Sequence, residues 1–337
     1  MPALAVADAL RTSGARVVFI GGDRAEAELV PRAGFEFRRI EVEGLDRSNP
    51  LRALRALAKS VTATFTAWKM IGKMRPAAVL GGGGYVAGPV GAAAVLRRVP
   101  LVLTEADSHF GLTNRLLAPF ASKVCLAFHL DGRVGDRYIV TGRPIPLQAH
   151  DPSEARKRFG LSDGDRVIVV VGGSLGARSI NEAALEAFAE DPQLKVIHAA
   201  GERDLASLEA RPRGSGYQLF GYIDSFSEAL LAADLVVSRA GGSVFEIAAA
   251  GRPAILVPYP HAAADHQAGN ARWMEQAGAA IVLADDQLSG ERLASEVGRL
   301  LADPEQLAQM ANASASIARP DATAAVEAAL RAAGAGR

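Results

Sequence analysis

Between Ala233 and Ala271 the chain runs strand, glycine turn, helix and strand with almost no spare residues, and few folds accommodate that order. Leu235–Ser238 reads as a buried strand, and Ala240–Gly241–Gly242–Ser243 follows as the turn. A helix then opens with Glu246 in its first turn and stops at Gly251. Pro253 to Pro258 forms a second apolar strand, and a polar loop with His261, Asp265, His266, Gln267 and Asn270 comes next. Strands joined through a helix lie parallel, so both ends deliver their loops to one sheet edge, where open α/β folds bind ligands. A glycine turn lets backbone N–H groups approach an anion, and the helix N-terminus favours negative charge. Glu246 cannot hold a phosphate itself, because like charges repel; its carboxylate suits the two hydroxyls of a ribose. An ordinary βαβ unit with a solvated glutamate fits this stretch equally well, so the rest of the chain decides.

The same junction occurs upstream. Arg166 to Val171 is a clean buried strand running into Gly172–Gly173–Ser174–Leu175–Gly176–Ala177–Arg178 and a helix. No Gly-Lys-Ser/Thr follows, which excludes a Walker loop, yet the junction is of the kind that seats a diphosphate on N–H groups. Lys195 to Ala199 and Tyr217 to Phe220 are further strands, the second ending in Gly221–Tyr222–Ile223–Asp224. Nearer the start, Pro2 to Ser13 predicts a helix, Arg16 to Ile20 a strand and Leu51 to Met74 a long helix. Ala77 to Leu80 is a strand leading to four glycines (81–84) and Tyr85, then Gly88–Pro89 and a small-residue helix. Pro100 to Leu103 delivers Thr104, Glu105, Asp107, Ser108 and His109 to a loop, and a helix opens at Gly111–Arg115. Strands at Ala121–Phe128 and Tyr138–Val140 precede a linker at 141–150, stiffened by Pro144 and Pro146. The tail from Pro304 holds two Ala-rich helices parted by Arg319–Asp321. The whole is two α/β halves, without the Gly-x-Gly-x-x-Gly spacing and distal acid of a dinucleotide site.

A length of 337 residues suffices for two cores, and 49% hydrophobic with 6% aromatic residues implies Ala/Val/Leu packing. Zero net charge gives no reason to expect a nucleic-acid partner. The single Cys125 excludes an internal disulfide, and no metal-ligand cysteine spacing exists. No signal peptide and no apolar run of about 18 residues is present, so the expectation is a cytoplasmic or membrane-peripheral protein.

Charge is nevertheless uneven. From Arg47 to Thr104 no residue is acidic, while Arg47, Arg52, Arg55, Lys59, Lys69, Lys73, Arg75, Arg97 and Arg98 are basic. On the long helix Leu54, Leu57, Val61, Phe65 and Trp68 recur at steps of three and four. One reading makes this stripe a core face opposite a solvated basic face. The other rests Phe65, Trp68 and Ile71, with Lys69 and Lys73 beside them, on an anionic membrane surface. Glu105, Asp107 and His109 lie close enough in sequence for acid/base chemistry, although Glu105 equally suits a structural hydrogen bond.

Five blocks in order carry a resemblance: GGGGYVAGP (81–89), EADSHFGLTNR (105–115), VGGSLGAR (171–178), SRAGGSVFEIAAAG (238–251) and HAAADHQAGNA (261–271). The chain resembles the undecaprenyldiphospho-muramoylpentapeptide β-N-acetylglucosaminyltransferases of glycosyltransferase family 28 over nearly its whole length. The resemblance implies a GT-B fold, two Rossmann-like doubly wound parallel-sheet domains facing across a cleft. It sets domains at 1–142 and 143–318, with a C-terminal helix (319–337) packing back on the first. The implied activity is inverting transfer of N-acetylglucosamine from UDP-N-acetylglucosamine to lipid I, without metal or other cofactor. The place would be the cytoplasmic face of the cell membrane, on its anionic surface, with no nucleic acid involved. Implied donor contacts are Gly173, Ser174 and Gly176 on the diphosphate, Ile223 on the uracil, Gly241, Gly242 and Ser243 in the second turn, Glu246 on the ribose and Gln267 on the sugar. Asp107, Asn114 and Arg143 would complete that side, and Gly82, Gly83, Gly84 and Tyr85 would form the acceptor side.

Three departures stand out. The family begins with a strand and a Gly-Gly-Thr-Gly-Gly-His loop just ahead of the helix that starts here at Pro2, and a misplaced start codon is the favoured account. The usual Gly-Asn-Pro-x-Arg linker reads Gly142–Arg143–Pro144–Ile145–Pro146, which moves the arginine. The turn from Arg239 to Glu246 is one residue short, and Asp107 stands where asparagine is common. A related GT-B transferase with another acceptor and a truncated, inactive UDP-sugar-binding paralogue are the competing readings; a dinucleotide enzyme fits least.

Overall fold

The computed structural model describes residues 2–43, 50–145, 151–173, 175–262 and 265–335, with residues 50–55 by backbone alone. Ser174, Pro146 and Arg47 fall outside them, as do the side chains of Arg52, Leu54 and Arg55. The chain forms two compact units, Met1–Pro146 with Pro320–Arg337, and Leu147–Arg319. The boundaries lie one to four residues beyond the expected 142/143 and 318/319.

The first unit runs α1 (Pro2–Thr12), β1 (Val18–Gly21), α2 (Glu26–Arg32), β2 (Glu36–Arg39), α3 (Pro50–Met74), β3 (Val79–Gly81), α4 (Gly84–Leu96), β4 (Leu101–Glu105), α5 (Leu112–Leu117), β5 (Lys123–Leu126) and β6 (Tyr138–Val140). Its strands form two parallel sheets, β1-β2 and β3-β4-β5-β6. The pair α2–β2 gave no clear apolar signal, because β2 reads Glu-Phe-Arg-Arg with half its residues exposed. The small-residue helix starts at Gly84, ahead of the Gly88–Pro89 pair expected to precede it. Positive φ at Gly83 (78°) and Gly84 (73°) turns the chain early and leaves Pro89 inside α4.

In α3 the two faces are the reverse of the core reading. Ala56, Ala63, Ala67 and Ile71 are buried, with the last three packed against Val90, Ala93 and Ala94 of α4. Small residues let two helices approach closely, so the alanine face is the core face. Leu57, Val61 and Phe65 are more than half exposed, at 57%, 67% and 56%. Ile71, expected on the membrane face, is 1% exposed and belongs to the core.

The second unit runs α6 (Pro152–Arg158), β7 (Arg166–Val171), α7 (Arg178–Phe188), β8 (Leu194–Ala199), α8 (Glu202–Glu209), β9 (Tyr217–Phe220), α9 (Phe226–Ala232), β10 (Leu235–Ser238), α10 (Ser243–Ala249), β11 (Ala254–Leu256), α11 (His266–Gln276), β12 (Ala280–Val282), α12 (Gly290–Leu301) and α13 (Pro304–Ile317). All six strands pair in parallel in the order β12-β11-β10-β7-β8-β9. Near-continuous Val, Ile and Leu runs, buried on both faces, are what such a sheet requires. The last helix, α14 (Ala322–Gly334), returns to the first unit, where Val326, Ala329 and Leu330 pack with Val6, Val102 and Cys125.

Candidate functional site

The strand order of the second unit reverses between β10 and β7. From β7 the chain steps outward to β8 and β9; from β10 it steps the other way to β11 and β12. Register places Ser238 beside Val171, so two adjacent strands end level at the point where parallel sheets bind ligands. One end carries the loop 172–177, the other the turn 239–242. Ala200–Gly201 continues the next strand, and Gly221–Ile223 the one beyond.

Glycines shape the 172–177 loop, two of them, Gly172 and Gly176, where no side chain fits. Gly173 and Gly176 have φ of 88° and 74°, and a Cβ on Gly176 would stand 2.0 Å from the Ala200 carbonyl oxygen. A Cβ on Gly172 would stand 2.3 Å from the Ala177 nitrogen. Helix α7 then opens with no side-chain cap and no acid in its first turn, which leaves its N–H groups to an anion. Arg178, the first residue of α7, is 76% exposed in its side chain and 3.7 Å from Asp204.

At the second turn Gly242 precedes α10, again without a side-chain cap, and Glu246 sits half-buried in the first turn. Ser243 Oγ lies 3.2 Å from the Arg239 carbonyl oxygen and from Ser238 Oγ, tying the turn to its strand. His266, Gln267 and Asn270 are not loop residues; they ride on α11, which starts after Asp265 in the left-handed region (φ 53°). Its polar first turn carries no apolar period, which is why it read as loop. Gln267 Oε1 accepts from the Tyr259 N–H at 2.9 Å, and its Nε2 lies 3.8 Å from where a Cβ on Gly241 would be. One turn on, the buried Asn270 donates to the Ala240 carbonyl at 3.0 Å. Ile223 is buried at the end of the series. His261 stays exposed on the preceding loop.

In the first unit, Thr104 and Glu105 are the last residues of β4 rather than loop residues. The buried Glu105 carboxylate accepts from the N–H of Ala106 (3.1 Å), the N–H of Gly111 (2.8 Å) and Asn114 Nδ2 (2.9 Å). Asn114, 1% exposed, also donates to the Thr104 carbonyl, so its Nδ2 and the Glu105 carboxylate join β4 to α5, while its buried Oδ1 meets no hydrogen-bond partner among the described residues. Glu105 thus makes the structural hydrogen bonds that its alternative reading expected, and Asn114 spends its amide N–H on the same junction. Asp107 is half-buried and His109 exposed. Gly82 and Gly84 face open space, Thr113 Oγ1 donates to the Gly84 carbonyl at 2.9 Å, and Arg24 stacks 4.5 Å over the Tyr85 ring. Arg143 falls in the first unit, half-buried beside Gly142. Among the described residues no group of three His, Cys, Asp or Glu side chains is disposed to hold a metal ion.

Sequence reasoning missed a buried polar network behind the diphosphate loop. His198 Nε2 lies 3.0 Å from Asn181 Oδ1 and Nδ1 lies 2.7 Å from the Tyr217 hydroxyl. Asn181 Nδ2 donates to the Ala200 carbonyl and to Asp204, so Asn181 Oδ1 can only accept, and His198 carries its proton on Nε2. Burial pushes the imidazole down to about 4 and the Tyr217 phenol up.

The sequence profile of the glycosyltransferase family 28 N-terminal domain matches residues 1–126, and that of the C-terminal domain matches 167–326. A relative from Moorella thermoacetica, named UDP-N-acetylglucosamine–N-acetylmuramyl-(pentapeptide) pyrophosphoryl-undecaprenol N-acetylglucosamine transferase, is 41% identical over 96% of this chain and 93% of its own. A relative of the same name from Halothermothrix orenii is 37% identical over 95% of this chain and 91% of its own. The crystal structure of Acinetobacter baumannii MurG is 30% identical, covers 98% of this chain and 95% of its own, and superposes with a TM-score of 0.76. With matching profiles in both halves and close relatives along almost its full length, the chain belongs to glycosyltransferase family 28, as a GT-B hexosyltransferase of the N-acetylglucosaminyl class.

Proposed function

We propose that the chain transfers N-acetylglucosamine from UDP-N-acetylglucosamine to lipid I, the undecaprenyl-diphosphate-linked muramyl pentapeptide, forming lipid II. The observation that carries the donor half is the switch point between β7 and β10, flanked by two glycine turns that each open an uncapped helix. In this reading the N–H groups of Gly173–Ala177 and the α7 N-terminus take the diphosphate, and neutralise the charge that grows on UDP as it leaves. Glu246 accepts from the ribose hydroxyls, and Gln267, its Oε1 already engaged, offers Nε2 to the sugar. Gly241, Gly242 and Ser243 bring the backbone close, and Ile223 meets the uracil. The acceptor hydroxyl must lose a proton to a group with a lone pair to spare. Glu105 already accepts from three donors, which favours Asp107 or His109 among the three candidates.

The test is transfer of labelled N-acetylglucosamine from its UDP form to lipid I. The expected product is the disaccharide lipid, with kcat/KM falling about tenfold in Glu246→Ala. Donor hydrolysis without transfer, or transfer only to some other acceptor, would overturn the acceptor assignment.

The outward stripe of α3 supports docking on an anionic lipid surface. Phe65 and Trp68 stack at 5.9 Å with ring planes 7° apart, and Lys69 Nζ sits 4.4 Å over Phe65. Arg97 lies 3.4 Å over Trp68 and donates to its carbonyl, in space that any side chain at Gly72 would fill. No described helix is long and apolar enough to cross a membrane. Phe65→Glu should lower partitioning onto vesicles containing phosphatidylglycerol about tenfold, without changing the melting temperature. Sedimentation with the vesicles reads this; equal partitioning of variant and parent would contradict it.

A further inference from the structure

Three side chains with no assigned part in donor binding are bonded to one another directly behind the two glycine turns. Ser179 is the second residue of α7, just past the 172–177 loop. Arg239 links β10 to the 240–243 turn, and Asp285 begins the short 3-10 segment Asp285–Gln287 after β12. Ser179 Oγ donates to Asp285 Oδ1 at 2.7 Å, Arg239 Nη1 donates to the same oxygen at 2.6 Å, and Arg239 Nη2 donates to Ser179 Oγ at 2.9 Å. The triangle is closed and largely dry, with side-chain exposures of 10% for Arg239 and 23% for Asp285. Arg239 Nη1 also donates to the Val257 and Pro258 carbonyls at 3.1 and 3.3 Å, which draws in the strand end leading to Tyr259 and Gln267.

Burying an ion pair gains little stability over a well-packed apolar pair of the same volume. What a charge-assisted triangle supplies is fixed geometry, because each oxygen and N–H must meet its partner at one distance and angle. Here the corners are the first turn of α7, the entrance to the 240–243 turn and the segment after β12. A ligand that spans both glycine turns loses less entropy when their spacing is set in advance.

We propose that Ser179, Arg239 and Asp285 are positioning residues that set the spacing between the diphosphate loop and the ribose turn, so that UDP is gripped at both ends at once. None of the three touches the ligand. The proposal rests on the donor-site reading above, and its signature is a loss confined to ligands that span both turns. Uridine, which meets the ribose turn and Ile223 but not the diphosphate loop, does not bridge that spacing.

The experiment compares the full chain with Ser179→Ala, Ser179→Thr, Asp285→Asn and the double variant Ser179→Ala/Asp285→Asn. Dissociation constants for UDP and for uridine come from ligand-observed NMR titration, and KM and kcat from the transfer assay, with melting temperatures recorded throughout. Ser179→Ala and Asp285→Asn should each raise the UDP dissociation constant and donor KM about tenfold, leaving kcat and uridine binding within about twofold. Ser179→Thr keeps the hydroxyl and should stay within about twofold of the parent, and the double variant should be little worse than either single one. Equal weakening of UDP and uridine, or a lower melting temperature with UDP binding intact, would overturn the positioning role. So would a threonine variant as impaired as the alanine one. Glu246→Ala separates the two levels. Weaker UDP binding there, with Ser179→Ala and Asp285→Asn at parental affinity, defeats the triangle alone; unchanged binding defeats the donor-site reading and the triangle with it.

Discussion

Gly176→Ala is expected to lower affinity for UDP-N-acetylglucosamine about a hundredfold. The added Cβ would lie 2.0 Å from the Ala200 oxygen and 3.0 Å from its carbonyl carbon, both backbone atoms that cannot rotate away. The residue also has φ of 74°, where a side chain is strained by about 1–2 kcal/mol before any clash. The loop must therefore leave Ala200–Gly201, and its N–H groups lose their common aim at the anion. Gly173→Ala is the internal comparison. Its φ is 88°, but a Cβ there meets nothing within 4 Å, so it bears the strain alone and should lose about tenfold at most. Gly82→Ala, in the first unit with open space and no positive φ, should leave donor binding unchanged. Calorimetric titration of the three variants gives the ranking. Equal affinities for Gly173→Ala and Gly176→Ala would show that the close approach to Ala200 does not shape the site.

Stability should fall in a defined acid window because of His198. The folded state keeps its imidazole neutral down to about 4, since burial disfavours the charge, whereas the unfolded side chain takes a proton near 6.5. Between those values the unfolded state binds more protons, so stability rises with pH across the window. The contribution is complete above pH 6.5, declines as pH falls and is lost by about pH 4. Over the whole window it amounts to about 3 kcal/mol. Protonating Nδ1 also turns the acceptor of the Tyr217 hydroxyl into a donor, so the 2.7 Å bond reverses and the hydroxyl proton loses this acceptor. His198→Asn should melt lower at pH 7, because partners are left unpaired, but its melting temperature should change less between pH 7 and 5 than the parent's. Identical pH slopes would remove His198 as the titrating group.

The strands that position the donor site were legible because each is a short apolar run closed by glycine. Val167–Val171 and Leu235–Val237 could hardly be anything else, and the glycines at 172–176 and 241–242 mark where the chain must turn. Resemblance then assigned ligand groups to those turns. What stayed hidden depends on partners far away in the chain. Arg239 meets Ser179 and Asp285 across 60 and 46 residues, and His198 meets Asn181 and Tyr217 across 17 and 19, with no local pattern to announce either. Glu105 read as a candidate base or, equally, a structural hydrogen-bond acceptor, because its spacing to Asp107 and His109 is short; the bonds that occupy it include those from Gly111 and Asn114. The faces of α3 failed for another reason: periodicity identifies an apolar stripe, not what covers it. The neighbouring helix takes the alanines and leaves the bulky side chains outside.

The most direct test of the donor site is calorimetric titration of the chain with UDP-N-acetylglucosamine, against UDP-glucose and a Glu246→Ala control. The expected result is saturable binding that prefers the N-acetyl sugar and weakens about tenfold when the carboxylate is removed. Binding that is absent, or indifferent to both the N-acetyl group and Glu246, would contradict a donor site at the junction of β7 and β10.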